Sequence, residues 1–150
     1  MQEAIELARY GMEHNHGGPF GCVVVKNGLI IGKGNNRVLV DNDPTAHAEV
    51  VAIRDACKNL ESFQLSGCEL YTSCEPCPMC VGAIYWARPD KVYYAATRHD
   101  ASSAGFDDSY IYTEIELPIA NRKLVMETIG RSEAVRLLEQ WRIKEDKTSY

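Results

Sequence analysis

Apolar residues recur at helical spacing over residues 3 to 14, at Ile5, Leu7, Ala8 and Met12, and Gly17-Gly18-Pro19 ends the run. The period then changes. Phe20 to Lys26 and Leu29 to Ile31 are rich in β-branched residues and are joined by Asn27-Gly28, a pair that tolerates the left-handed backbone of a two-residue hairpin. Asp43-Pro44 can cap and open a helix on which Ala46, Val50, Ile53, Cys57 and Leu60 repeat at steps of four and three, so His47 is expected in its first turns. Glu69 to Thr72 reads as a short strand. Pro76 and Pro78 bar any helix from starting much before Cys77, because proline is tolerated only in a helix's first turn. Cys77 and Cys80 therefore fall at a helix N-terminus. That helix, Met79 to Trp86, is apolar nearly all round and should be buried. Lys91 to Ala95 predicts another strand, and Glu133 to Trp141 begins a last amphipathic helix with Ala134, Leu138 and Trp141 on one face.

Strands alternating with helices after an opening hairpin predict a three-layer α/β/α sandwich on a mixed sheet of five strands. With no internal repeat, linker or low-complexity stretch, residues 1 to 150 are expected to form a single domain. A domain of this length buries about 68 to 70% of its unfolded surface, so it needs no metal merely to hold together.

Composition narrows the partners. The formal charge of -5 and the scattered lysines and arginines offer no basic stripe for phosphate backbones, so nucleic acid is not an expected partner. The first residues are acidic and lack an apolar core, and no run approaches the roughly 18 apolar residues of a membrane span. A cytoplasmic setting is expected. In a reducing compartment six cysteines suggest metal or free thiols more than disulfides.

Chemistry concentrates in two short stretches. His47, Cys77 and Cys80 supply three metal ligands, and Glu49 supplies a separate carboxylate. Structural zinc sites close their shell with four protein ligands, whereas a hydrolytic site leaves one position for water, whose pKa the metal lowers from 15.7 toward about 7. Glu49, two residues from His47, does not share its helix face and suits a general base and acid better than a fourth ligand. Alone, His47 would be an ordinary hydrogen-bonded histidine, and Cys22, Cys57 and Cys68 are most simply small buried apolar residues. Cys74, Cys77 and Cys80 open an iron–sulfur spacing, but positions 84 and 85 are Ile and Tyr where that pattern needs Cys followed by Pro, so Cys74 reads as a packing residue beside the ligands. His14-Asn15-His16 resembles a nuclease triplet by letters only.

His47-Ala48-Glu49 with Pro76-Cys77-Pro78-Met79-Cys80 matches the H-x-E and P-C-x-x-C pattern of zinc nucleobase deaminases. Pro44 to Val50, Tyr71 to Cys80 and Gly82 to Pro89 resemble the cytidine-deaminase-like superfamily, and Ala104-Gly105-Phe106-Asp107-Asp108-Ser109 is similar to the bacterial guanine deaminases rather than the tRNA adenosine deaminases. The resemblance implies a zinc ion held by His47, Cys77 and Cys80, with Glu49 as proton shuttle. It implies purine contacts from Asn36, Ala48 and Asp108, with Asp108 also helping to carry protons, and aromatic pocket walls from Phe20 and Trp86. It further implies a homodimer in which the C-terminal segment, ending in Tyr150, is exchanged and closes the partner's pocket. Guanosine, triazine and tRNA adenosine deaminases share these zinc motifs, and a zinc-stabilised binding module without turnover is the non-enzymatic alternative. A module of that kind would have no use for Glu49.

Overall fold

Asn27 and Gly28 take left-handed conformations, with φ of 51° and 80°, and turn β1 (Gly21–Lys26) into β2 (Leu29–Asn35). The computed structural model describes residues 1–149, and Tyr150 lies outside them. β1 also pairs antiparallel with β3 (Cys68–Cys74), which pairs parallel with β4 (Lys91–Ala96), giving a mixed sheet in the order β2-β1-β3-β4. The sheet has four strands among the described residues rather than five. After β4, Thr97 and Asp100 form a reciprocal capping box, which directs the chain into α5 (Arg98–Ser103) instead of a further strand.

Small residues decide how closely the layers approach. On one face α1 (Gln2–Glu13) buries Ala4, Ala8 and Gly11, and a side chain at Gly21 would sit 2.1 Å from the Ala4 carbonyl oxygen. On the other face α3 (Ala48–Leu60) buries Ala48, Ala52 and Ala56 at four-residue steps, directly over Gly32 and Gly34 of β2. α3 and α4 (Pro78–Ala87) share a core with Cys22, Val24, Leu65 and Leu70. α2 (Val38–Asp41) is a single turn between β2 and α3.

The α3 boundary differs from the expected one. The Asp43 carboxylate accepts from the Thr45 main-chain N–H at 2.8 Å and from its hydroxyl at 2.7 Å, so Asp43-Pro44 forms a turn and the helix opens only at Ala48. His47 is its extended N-cap residue, and Cys77 occupies the same position on α4.

The described residues fall into two compact units, one from Met1 to Tyr110 and a smaller one beginning at Ile111. The second includes α7 (Arg131–Ile143), whose Leu137 and Leu138 are exposed. α6 (Ser109–Glu116) links the two in sequence.

Candidate active site

The two N-cap positions bring the expected ligands together. His47 Nδ1 lies 3.5 Å from Cys77 Sγ and 3.6 Å from Cys80 Sγ, and the three side chains offer donor atoms all within 4.8 Å of one another. Bonds of about 2.05 Å to nitrogen and 2.3 Å to sulfur at a tetrahedral angle place N and S about 3.6 Å apart, so the spacing fits one zinc ion. The electrostatics agree with a ligand set. The hydrogen bond from Cys80, followed by the one to His47, lowers the Cys77 thiol to about 4, while its bond with Cys77 and its burial push Cys80 up. The Cys77 hydrogen bond also raises His47. Both helix N-termini add partial positive charge that favours thiolate.

Glu49 lies in the first turn of α3, buried to 6% exposure. Burial raises its pKa above the usual carboxylate range. Oε1 accepts from the Thr72 hydroxyl at 3.1 Å and Oε2 from Cys80 Sγ at 3.3 Å, so the carboxylate is held against the ligands from β3 and α4. Thr72 was not among the residues singled out from sequence. Its signal is its place in β3, where Cys68, Leu70, Thr72 and Cys74 alternate inward and Thr72 is the one hydroxyl among them.

A cavity of about 430 Å³ opens over this group, within the 300 to 1,000 Å³ typical of small-molecule sites. Phe20, Asn36 and Asp108 line it beside His47, Glu49 and Cys77. Phe20 meets Phe106 edge to face, with ring centroids 4.9 Å apart and planes at 84°, which adds Phe106 to the walls. Burial, followed by the charge of Cys77, raises the Asp108 pKa. Cys74 also lines the cavity and donates to the Thr97 carbonyl at 3.6 Å, tying the end of β3 to the start of α5. The Glu75 carboxylate reinforces that tie by accepting from the Arg98 main-chain N–H at 3.0 Å.

Two expected contacts are not among the cavity-lining residues. Ala48 is fully buried at the start of α3, where β2 packs at Gly34, and Trp86 sits on α4 with 65% of its surface exposed. Ala48 is spent on helix packing, and Trp86 stands at the surface of its own chain. Tyr150 lies outside the described residues.

The donor triad, the separate carboxylate and the mixed sheet define a class: the chain belongs to the zinc-dependent deaminases of the cytidine-deaminase-like superfamily. Residues 1–96 match the family described as cytidine and deoxycytidylate deaminase zinc-binding region. Within that class the whole chain is 53% identical over 150 residues to the guanine deaminase of Bacillus subtilis, covering 100% of this chain and 96% of that one. The crystal structure of the Bacillus subtilis enzyme superposes with a TM-score of 0.96 over 99% of this chain and 95% of that one. A solved guanine deaminase from Nitrosomonas europaea is 37% identical, with a TM-score of 0.68 over 71% of this chain and 62% of that one. The tRNA-specific adenosine deaminase of Aquifex aeolicus is 38% identical over 123 residues, 82% of this chain and 79% of that one. Among the described residues, no helix is long and apolar enough to cross a membrane.

Proposed function

We propose that this protein is a cytoplasmic, homodimeric guanine deaminase that hydrolyses guanine to xanthine and ammonia with one zinc ion per chain. The observation that carries the reaction type is three metal donors within 4.8 Å of one another beside a buried carboxylate that is not one of them. The substrate follows from full-length identity to a guanine deaminase, and from a cavity with aromatic walls and an amide and a carboxylate at its edge.

His47, Cys77 and Cys80 would hold the metal, whose chemistry when bound would be to acidify a water and so make a nucleophile available at neutral pH. Binding requires both thiols to be deprotonated, so the proton that Cys80 donates to Glu49 Oε2 is lost and that oxygen becomes available. Glu49 would take one proton of the attacking water at Oε2 and hand it to the ring nitrogen, then carry the remaining hydroxyl proton to the departing amine, which leaves as ammonia, while Thr72 holds Oε1. The raised pKa suits a group that must be both base and acid near neutral pH. Phe20 and Phe106, in edge-to-face contact with each other, form an apolar wall for the flat ring and exclude water. Asn36 Oδ1 is committed to the Val38 main-chain N–H at 3.2 Å, which leaves its Nδ2 hydrogens to donate to a purine acceptor, and Asp108 accepts from an N–H edge.

The chain functions as a single domain whose C-terminal segment, through Tyr150, closes the pocket of the second subunit. Exposed Tyr85 and Trp86 on α4, and Leu137 and Leu138 on α7, support burial against another chain. The test is ammonia release from guanine, guanosine, adenine and cytosine by the purified zinc-loaded protein. Guanine alone should react. Preferential turnover of guanosine would move the assignment to a guanosine deaminase, and no ammonia from any of the four would leave a zinc-stabilised binding module.

A further inference from the structure

We infer that His16 and Asn35 are positioning residues for purine recognition, a hydrogen-bonded pair behind the cavity wall that fixes the orientation of Asn36; this rests on the guanine deaminase reading above. Asn35 and Asn36 are adjacent at the end of β2, and both are buried, at 8% and 6% exposure. Asn35 Nδ2 donates to the Asn36 carbonyl oxygen at 2.8 Å. A carbonyl can only accept, so this contact identifies the nitrogen of the Asn35 amide. Its second hydrogen is directed at His16 Nδ1, 3.2 Å away, which makes that ring nitrogen the acceptor.

The backbone of His16 serves the same end. Its carbonyl accepts from Leu39 N at 3.0 Å and Val40 N at 3.2 Å, so one residue grips both ends of the turn that carries Asn36. Asn36 is held on its remaining sides by its own N–H to the Phe20 carbonyl at 2.9 Å and by the Val38 N–H on Oδ1.

Two glycines record how tightly the assembly is built. Gly11 lies inside α1, where glycine costs roughly 1 kcal/mol relative to alanine, yet a Cβ there would sit 2.5 Å from Asn35 Nδ2. A Cβ at Gly17 would sit 1.9 Å from Asn36 Oδ1. The helix gives up propensity to leave room for the Asn35 amide. The side-chain hydrogen bonds of His16 and Asn35 run to each other and to Asn36 rather than to Glu49, so the pair acts on ring binding and not on the proton transfers.

The test uses the zinc-loaded full chain. His16→Ala should raise KM for guanine about 5- to 10-fold, the loss of one hydrogen bond's worth of binding, with kcat within about twofold and zinc content unchanged. His16→Asn, whose Oδ1 stands where Nδ1 stood, should restore KM. In an Asn36→Ala background His16→Ala should add almost nothing, because both changes remove the same interaction. Asn35→Asp, which sets a carboxylate against the Asn36 carbonyl, tests the pair from its other end if His16→Ala loses its fold. Should the wild-type protein not turn over guanine, the functional reading fails by itself. The positioning is then read from the side-chain amide resonance of Asn36, assigned by its absence in Asn36→Ala, which should shift in His16→Ala and return in His16→Asn. An unchanged KM and resonance, or equal losses from His16→Ala with and without Asn36, would overturn the inference and leave His16 a merely structural residue.

Discussion

Glu49 is within hydrogen-bond reach of Cys80 Sγ, and the two proposed tasks, metal binding for the sulfur and proton transfer for the carboxylate, separate by substitution. Glu49→Gln keeps the shape and removes the proton carrier, so zinc should remain at about one per chain while turnover falls by at least the roughly 100-fold typical of a general acid or base. Cys77→Ser and Cys80→Ser should do the reverse and lose metal, since a hydroxyl is a far poorer zinc ligand than a thiolate. Metal analysis beside an ammonia assay checks both, and a fully metallated Cys77→Ser would mean the ligands are wrong. Asp108→Ala should spare zinc, cut guanine turnover and relax the rejection of adenine, which a site with buried polar partners enforces at about 10,000-fold or more. Measuring kcat/KM for guanine and adenine in both proteins decides this, and efficient adenine deamination by the unmutated protein would contradict the placement of Asn36 and Asp108. Residues with strong spacing rules were legible in the sequence: the donor atoms of His47, Cys77 and Cys80 do converge. The roles of Thr72, Phe106 and the His16–Asn35 pair were not, because a buried hydroxyl or a half-buried imidazole gains its meaning only from a partner 19 to 23 residues away in sequence or farther. Trp86 and Ala48 do not line the cavity within this chain, since a motif names neighbours in sequence but not which way a helix turns them.

At the scale of elements, the site depends on how closely α3 lies on the sheet. A side chain at Gly34 would place Cβ 2.3 Å from the Ala48 carbonyl oxygen and 2.6 Å from the Ala52 nitrogen, both main-chain atoms that cannot swing aside. Gly34→Ala must therefore lift the first turns of α3, which carry Glu49 and follow His47, at the 1 to 3 kcal/mol typical of overpacking. The expected result is a melting temperature lower by about 3 to 10 °C together with reduced zinc content. Gly82 provides the contrast, because a Cβ there meets nothing within 4 Å on α4, and Gly82→Ala should leave stability unchanged or raise it by up to about 1 kcal/mol. Equal melting temperatures for the two variants would show that close approach at Gly34 is not what seats the helix. The same glycines explain which elements were legible. The hairpin was visible through Asn27-Gly28, but β2 continues through Gly32 and Gly34 to Asn35, past the expected end at Ile31, since glycine in a strand erases the apolar alternation by which strands are recognised. The α3 ridge is alanine where Val50 and Ile53 had suggested a face of large residues, because the sheet is too near for anything bigger. The fifth strand was inferred from fold habit, and the capping box at Thr97 decides locally for a helix.

For the whole molecule the question is what finishes the cavity. In the first unit, Tyr71 and Tyr93 stack at 4.6 Å on the sheet, with the Tyr71 hydroxyl donating to Glu69 at 2.7 Å and its pKa pushed up to about 12 chiefly by that bond. In the second unit, α7 carries Leu137 and Leu138 at 67% and 68% exposure, more apolar surface than a solvated helix needs. A two-fold dimer that exchanges the C-terminal segment would bury such surface and lay an aromatic lid over a site that gains from excluding water. Deleting residues 147 to 150 should then keep zinc content and fold nearly intact while substantially reducing guanine turnover. Mixing that truncated protein with full-length Glu49→Gln tests exchange directly. A mixed dimer holds one intact catalytic centre, in the truncated chain, and one intact tail, on the Glu49→Gln chain, which is the tail that covers it. Part of the activity should return once the two proteins have been unfolded and refolded together. If mixed dimers form, as native mass spectrometry would show, and yet only the summed background of the two parents is measured, the tail does not act on the neighbouring site.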